Sequence, residues 1–333
     1  MKQKYFSPTG ILVCCLVMLT VAGCRKGNGV GGDLPSRAIY HWKTTYNPTS
    51  WEQKFLQEHK IGRIYLHLFD VDAVGDDEVA PVATLRFDQP LPDDIEIVPT
   101  VFVSHEALDM IYNSFNLYSS DIADKIYDRV SAMMRCQGVS VKEIQLDCDG
   151  GEKSMYVACS LVEGLVSRAH DDSIKVSSTL RLSQLVSRDR IPKCDGYVLM
   201  LYNTGQLQNF NTRNSILDYA DVEPYLKYMT AGWLDSLRDG GVRLDCAYPL
   251  YGWGVAFHPS GRFAHLVQPT DLPETGNDTL RVEWAQMSDI QKVQNAVGKR
   301  MPSGYRPATV LYHLDSANLS RYSFNEIETV LNH

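Results

Sequence analysis

The chain has 333 residues, 44% of them hydrophobic and 22% charged, with 32 Lys and Arg against 40 Asp and Glu for a formal net charge of -8. That is globular composition, long enough to bury a core without disulfide or metal staples, and it excludes collagen-like, mucin-like and largely disordered chains. The acidic balance leaves no basic surplus to neutralise phosphates and argues against a nucleic-acid partner.

The first 23 residues read as a leader. Lys2 and Lys4 precede an uncharged run, Ile11 to Val21, too short to span a bilayer as mature structure. It ends Val21-Ala22-Gly23-Cys24, which resembles the bacterial lipoprotein signal cut before its cysteine. That resemblance implies that residues 1–23 are removed, that Cys24 is lipidated, and that the mature chain joins a membrane through its N-terminus. Residues 24–36, with the glycine-rich Arg25–Gly32, then read as a flexible tether. Arg25 after the cysteine, where Asp would favour the inner membrane, predicts the outer membrane, facing the periplasm or the cell surface. Cleavage removes two lysines and no acid, leaving 30 basic against 40 acidic residues, a charge of -10. Five cysteines then remain beyond Cys24: 136, 148, 159, 194 and 246. The odd number leaves at least one thiol free unless chains pair, although export permits a disulfide. Cys148 and Cys246 sit in apolar strand patterns and read as small buried hydrophobes.

The predicted elements follow in chain order. A strand over Ile39–Lys43 precedes a helix over Trp51–His59, apolar at 51, 55 and 56. A second strand, Arg63–Phe69, leads into an acidic, proline-rich insertion over 71–95, then a third, Ile97–Val103. The helix Ser119–Cys136 carries a stripe of Ile122, Ile126, Val130 and Met133-Met134. Strand four, Val141–Asp147, is followed by a helix over Tyr156–His170. Strands five and six are Ile174–Leu180 and Gly196–Tyr202, with a helix over Val222–Leu237 after them. Strand seven, Gly241–Tyr248, precedes an insertion over 251–285 in which Val282–Trp284 adds a short strand. Strand eight, Ala308–Leu314, and a helix over Phe324–Leu331 complete the chain. Eight strands with helical connections predict an α/β fold, a (β/α)8 TIM barrel over 37–333, as a single domain with inserted loops after strands two and seven. A doubly wound sheet is the alternative, but Tyr40–Pro48 lacks the glycine-rich turn it needs, and no P-loop occurs.

In such a barrel the chemistry sits at the C-terminal strand ends. Period-two alternation on strand four places Gln145, Asp147 and Asp149 on one face, opposite Ile144, Leu146 and Cys148. Two carboxylates stacked on one inward face split their pKa values, an acid/base device. The same alternation points Arg181, Tyr202, Arg243 and Asp245 inward, and Tyr65, His67 and Phe69 from strand two. Glycoside hydrolysis needs two carboxylates on facing strand ends, here Asp149 with Asp245 or Asp149 with Glu152. The structural alternative is an ionic network in which Arg243 and Asp245 tie down Asp147. Tyr202, Arg181, Arg243, Trp42, Tyr251 and Trp253 are candidate sugar contacts, since carboxylates beside aromatic rings suit a glycan or oligosaccharide. Histidines 41, 67, 105, 258 and 313 are scattered without HExxH, and no GxSxG occurs, so no metal, cofactor or serine nucleophile is expected. A monomer is expected.

Three segments carry a family resemblance. Ile144–Glu152 is similar to the fourth-strand DxxDxDxE motif of chitinase-like glycoside hydrolases, Asp147 and Asp149 matching its second and third acids. Gly196–Asn203 resembles that family's sixth strand, and Cys246–Trp253 its seventh. The resemblance implies an envelope-anchored glycoside hydrolase-like protein working by carboxylate acid/base chemistry, with Asp149 and Tyr202 holding the substrate's acetamido group. The family's proton-donating Glu falls at Gly151, with Glu152 one residue late and Ile144 at the first acid position. A glycan-binding lipoprotein that keeps the cleft without the acid is therefore the alternative. The whole chain also resembles uncharacterised Bacteroides-type lipoproteins with this kind of barrel, which implies no particular reaction.

Overall fold

A computed structural model describes residues 37–267 and 278–333. The expected leader, Cys24 and tether lie outside them. Eight parallel strands form the barrel: β1 Arg37–His41, β2 Arg63–Ala73, β3 Glu96–Val103, β4 Glu143–Cys148, β5 Lys175–Arg181, β6 Gly196–Met200, β7 Arg243–Pro249 and β8 Thr309–Tyr312. Each pairs with the next, and β1 pairs with both β2 and β8, which closes the sheet. The expected (β/α)8 architecture is the one observed.

Both faces of each strand are covered, so both are largely apolar. Tyr40, Tyr65, Val98, Val198, Ala247 and Val310 fill the barrel interior. Ile64, Leu66, Ile144, Leu146, Leu244 and Cys246 belong to the larger core outside it. The helices are α1 Ser50–Glu58, α2 His105–Asn113, α3 Ser119–Cys136, α4 Met155–His170, α5 Tyr219–Leu226, α6 Ala231–Asp239, α7 Met287–Gly298, α8 Ser316–Leu319 and α9 Phe324–Leu331. Short polar side chains start several of them: Thr49, Ser104 and Ser323 each accept a backbone N–H of the first turn. The single helix expected over Val222–Leu237 is instead α5 and α6. The chain breaks after Leu226, and Thr230 caps a new helix by accepting the Trp233 N–H. Helices α2, α7 and α8 were not anticipated.

Both insertions are present. After β2, Val79–Val82 pairs antiparallel with the strand's extension, and Arg86-Phe87 pairs with Thr45-Tyr46. After β7, Gly252–Phe257, Phe263–Val267 and Thr279–Trp284 form an antiparallel sheet that includes the short strand expected at 282–284. One register detail departs from simple alternation. In β2, His67 pairs with Thr100 but Phe69 with Val101, a bulge at Leu68. The extra residue turns Phe69 out of the barrel, where Arg129 of α3 lies over its ring, and correct inward facing passes from Phe69 to Asp70.

At the N-terminal strand ends a buried ionic network closes the barrel floor. Arg243 binds Glu143 at 2.6 and 2.9 Å and Asp245 at 2.5 Å, and Arg63 binds Glu96 at 2.8 Å. All but Asp245 are the first residues of their strands.

Candidate functional site

The opposite, C-terminal end holds a polar mouth. Asp147 is buried near the end of β4 and accepts the Thr179 hydroxyl at 2.6 Å from β5. Burial pushes its carboxyl above the ordinary Asp value, against the pull of Arg181. Asp149, just beyond β4, forms an ion pair with Arg181 at the end of β5. Burial would lower the Arg181 guanidinium, but Asp147 and Asp149 hold it charged. A cavity of about 340 Å³ opens here, lined by Asp149, Arg181, Ser183, Met200, Tyr202, Asn203, Thr204 and Tyr225. Its size is at the lower end of ligand pockets.

Aromatic rings brace the interior beneath this cavity. Tyr202 stacks on Tyr312 at 5.0 Å between centroids, and Tyr40 donates to Gln145 at 2.8 Å. Trp42 stacks on His67 at 4.6 Å. The bulge in β2 brings His67 and Asp70 together, Nε2 to Oδ1 at 2.6 Å. Alternation alone concealed this pair, because it needs two residues three apart on one face of a strand. Asn203 was also missed as a site residue. It follows β6 in the left-handed region, φ 54°, which Asn tolerates better than most residues. Its Oδ1 accepts the Tyr251 hydroxyl at 2.5 Å.

The other expected site residues are placed differently. Asp245 and Arg243 belong to the floor network, and Asp149 stands six positions along the chain from Glu143 of that network, about 20 Å. Asp245 therefore does not face a ligand shared with Asp149, and Arg243 neither contacts such a ligand nor ties down Asp147. Glu152 points to solvent with its side chain 81% exposed and pairs with Arg190 at 2.8 Å. It is not bent into the mouth by the Gly150-Gly151 turn. At Gly151 a β-carbon would lie 2.7 Å from Cε1 of His105, so the first residue of α2 occupies that room. Tyr251 is buried behind Asn203, while Trp253 donates its indole N–H to Glu283 at 3.0 Å in the inserted sheet. Arg181, Tyr202 and Asp149 are thus brought together, Asp147 lies deeper, Trp42 stands partly exposed just beyond β1 and outside the cavity's lining, and Asp245, Arg243, Glu152 and Trp253 stand apart. Among the described residues, no three His, Cys, Asp or Glu side chains gather as metal ligands, and all five cysteines are free thiols.

A closed parallel barrel with a carboxylate, an arginine and tyrosines at its C-terminal mouth defines a TIM barrel whose cavity lies at the end where such barrels carry their sites. No protein-family model and no curated protein matches the sequence. Solved structures do match in fold. The spore cortex-lytic enzyme SleL of Bacillus megaterium is 14% identical with a TM-score of 0.54, over 90% of this chain and 73% of that one. A chitinase from Bacteroides thetaiotaomicron is 12% identical with a TM-score of 0.54, over 90% and 97%. A chitinase from Chromobacterium violaceum is 11% identical with a TM-score of 0.53, over 90% and 100%. At these identities the likeness is one of fold.

Proposed function

We propose that the barrel mouth binds a glycan without chitinase-type hydrolysis, and that the protein is an envelope-tethered glycan-binding lipoprotein. One observation carries the reading: the mouth cavity gathers Asp149, Arg181, Tyr202 and Asn203, yet the acid position, Gly151, is filled by His105. Paired charges, an amide and tyrosine rings supply hydrogen bonds and stacking surface for sugar hydroxyls and CH faces. The same pairing works against acid/base turnover as expected from the sequence. Asp149 is engaged by Arg181, Asp147 is buried against Thr179, and Glu152 is outside the mouth. The names of the similar structures, two chitinases and a cortex-lytic enzyme, favour an amino-sugar polymer as the ligand. The tether rests on the lipobox ending at Cys24.

A glycan array on residues 37–333, with reducing-end analysis of any ligand found, tests the reading. Binding without product is expected, reduced at least tenfold in Asp149→Asn and Tyr202→Phe. Product release that disappears in Asp147→Asn would replace binding with hydrolysis. For the anchor, Cys24→Ala is expected to move the protein from the membrane fraction to the soluble one.

A further inference from the structure

A second cavity, of about 320 Å³, lies on the outer side of β2 and shares no lining residue with the mouth. The bulge at Leu68 creates one wall by turning Phe69 outward beside Val71. Ile122 and Ile126, one helical turn apart on α3, form the opposite wall. Residues 78–81 of the inserted hairpin close a third side. The walls are mainly apolar, but Arg129 also lines the cavity, on the same α3 stripe as Ile122. Its guanidinium lies over the Phe69 ring at 5.1 Å and donates from Nη2 to Thr84 at 2.9 Å. Its Nε is buried and has no hydrogen-bond partner among the described residues. Arg129 also has no ion pair there, unlike Arg63, Arg181, Arg190 and Arg243. Lys125 adds a second cation to the lining, also without an ion pair among the described residues, and Glu78 contributes one acid.

We propose that this cavity binds a small amphipathic carboxylate, its apolar chain between β2 and α3 and its anionic head on Arg129. Apolar walls favour a hydrocarbon body, and the guanidinium lining the cavity, without an ion pair among the described residues, attracts an anionic head. An anion binds a guanidinium more strongly than a neutral hydroxyl does, so the site selects charge as well as shape. The cavity's size suits a single small molecule.

Decanoate and decanol, titrated into residues 37–333 by calorimetry with methyl NMR of Ile122 and Ile126, test the proposal. Decanoate is expected to saturate and shift both methyl groups, with decanol at least tenfold weaker. Arg129→Gln should bring decanoate down to the decanol level, and Ala80→Phe, filling the cavity from the hairpin, should weaken both. Thermal melts of each variant establish that it is folded, and glycan binding at the mouth is expected to be unchanged. Equal binding of acid and alcohol, indifference to Arg129→Gln, or no saturation with decanoate would each overturn the assignment.

Discussion

The imidazole of His105 stands where a side chain at Gly151 would begin: an ideal β-carbon at 151 lies 2.7 Å from His105 Cε1, closer than side chains pack. His105 is half exposed and pairs with Asp109 at 3.2 Å, so it can swing aside. Gly151→Ala should therefore cost only about 0.5 kcal/mol in urea unfolding, as a surface change does. Gly151→Glu restores a carboxyl at this position, but Asp149 remains engaged by Arg181. The expected result is glycan affinity within threefold of wild type and no reducing ends released.

The floor network predicts a pH-dependent stability. Burial would raise the Glu143 carboxyl, but the Arg243 guanidinium and its hydrogen bonds hold it below the ordinary Glu value. A depressed carboxylate contributes stability above the ordinary pKa, and that contribution is lost as pH falls through the folded value. Asp245 runs the other way: burial raises its carboxyl despite Arg243, so its ionisation costs stability as pH rises past the ordinary Asp range. Arg243→Met leaves both acids buried without their main partner and should cost about 3–5 kcal/mol at pH 7. The difference from wild type should narrow toward pH 4 as Glu143 protonates. Urea denaturation at the two pH values measures both quantities.

The inserted sheet is expected to support the barrel rather than hold sugar. Trp253 donates to Glu283 at 3.0 Å and to Ser215 at 3.2 Å, which ties the sheet to the segment following β6. Trp253→Phe removes those bonds and should lower stability by about 1 kcal/mol while leaving glycan affinity unchanged. Thermal melts and a glycan titration on one preparation separate the two effects.

Strand identity was legible because most barrel strands are largely apolar on both faces and bounded by polar turns, as Ile97–Val103 and Gly196–Met200 illustrate. The inward facing of Asp147, Arg181 and Tyr202 followed from period two. Height along the barrel did not follow, because alternation gives a face but not which strand end a residue occupies. Asp245 and Asp149 thus looked alike although one is at the floor and the other at the mouth. Phe69 was misplaced for a related reason: the bulge at Leu68 changes phase within a strand, and no residue there announces it. Trp253 and Tyr251 are aromatic near a strand end, but their polar atoms are taken by Glu283 and Asn203, long-range partners invisible to local pattern.

Asn203 offers the sharpest separation of binding from stability. Its φ of 54° is a left-handed conformation that costs most residues about 1–2 kcal/mol. Its side chain lines the mouth while Oδ1 accepts the Tyr251 hydroxyl, which leaves the amide Nδ2 to donate to a ligand. Asn203→Asp keeps an acceptor for Tyr251 and a residue that tolerates the backbone, but removes that donor. It should melt near wild type and bind glycan at least tenfold more weakly. Asn203→Ala should lose both stability and affinity, because it strains the backbone and drops the Tyr251 bond. Asn203→Gly relieves the strain without restoring either polar contact, so its melt should lie above that of Asn203→Ala while its affinity stays low. Equal glycan affinity in Asn203→Asp and wild type would remove Nδ2 from the mouth's ligand contacts.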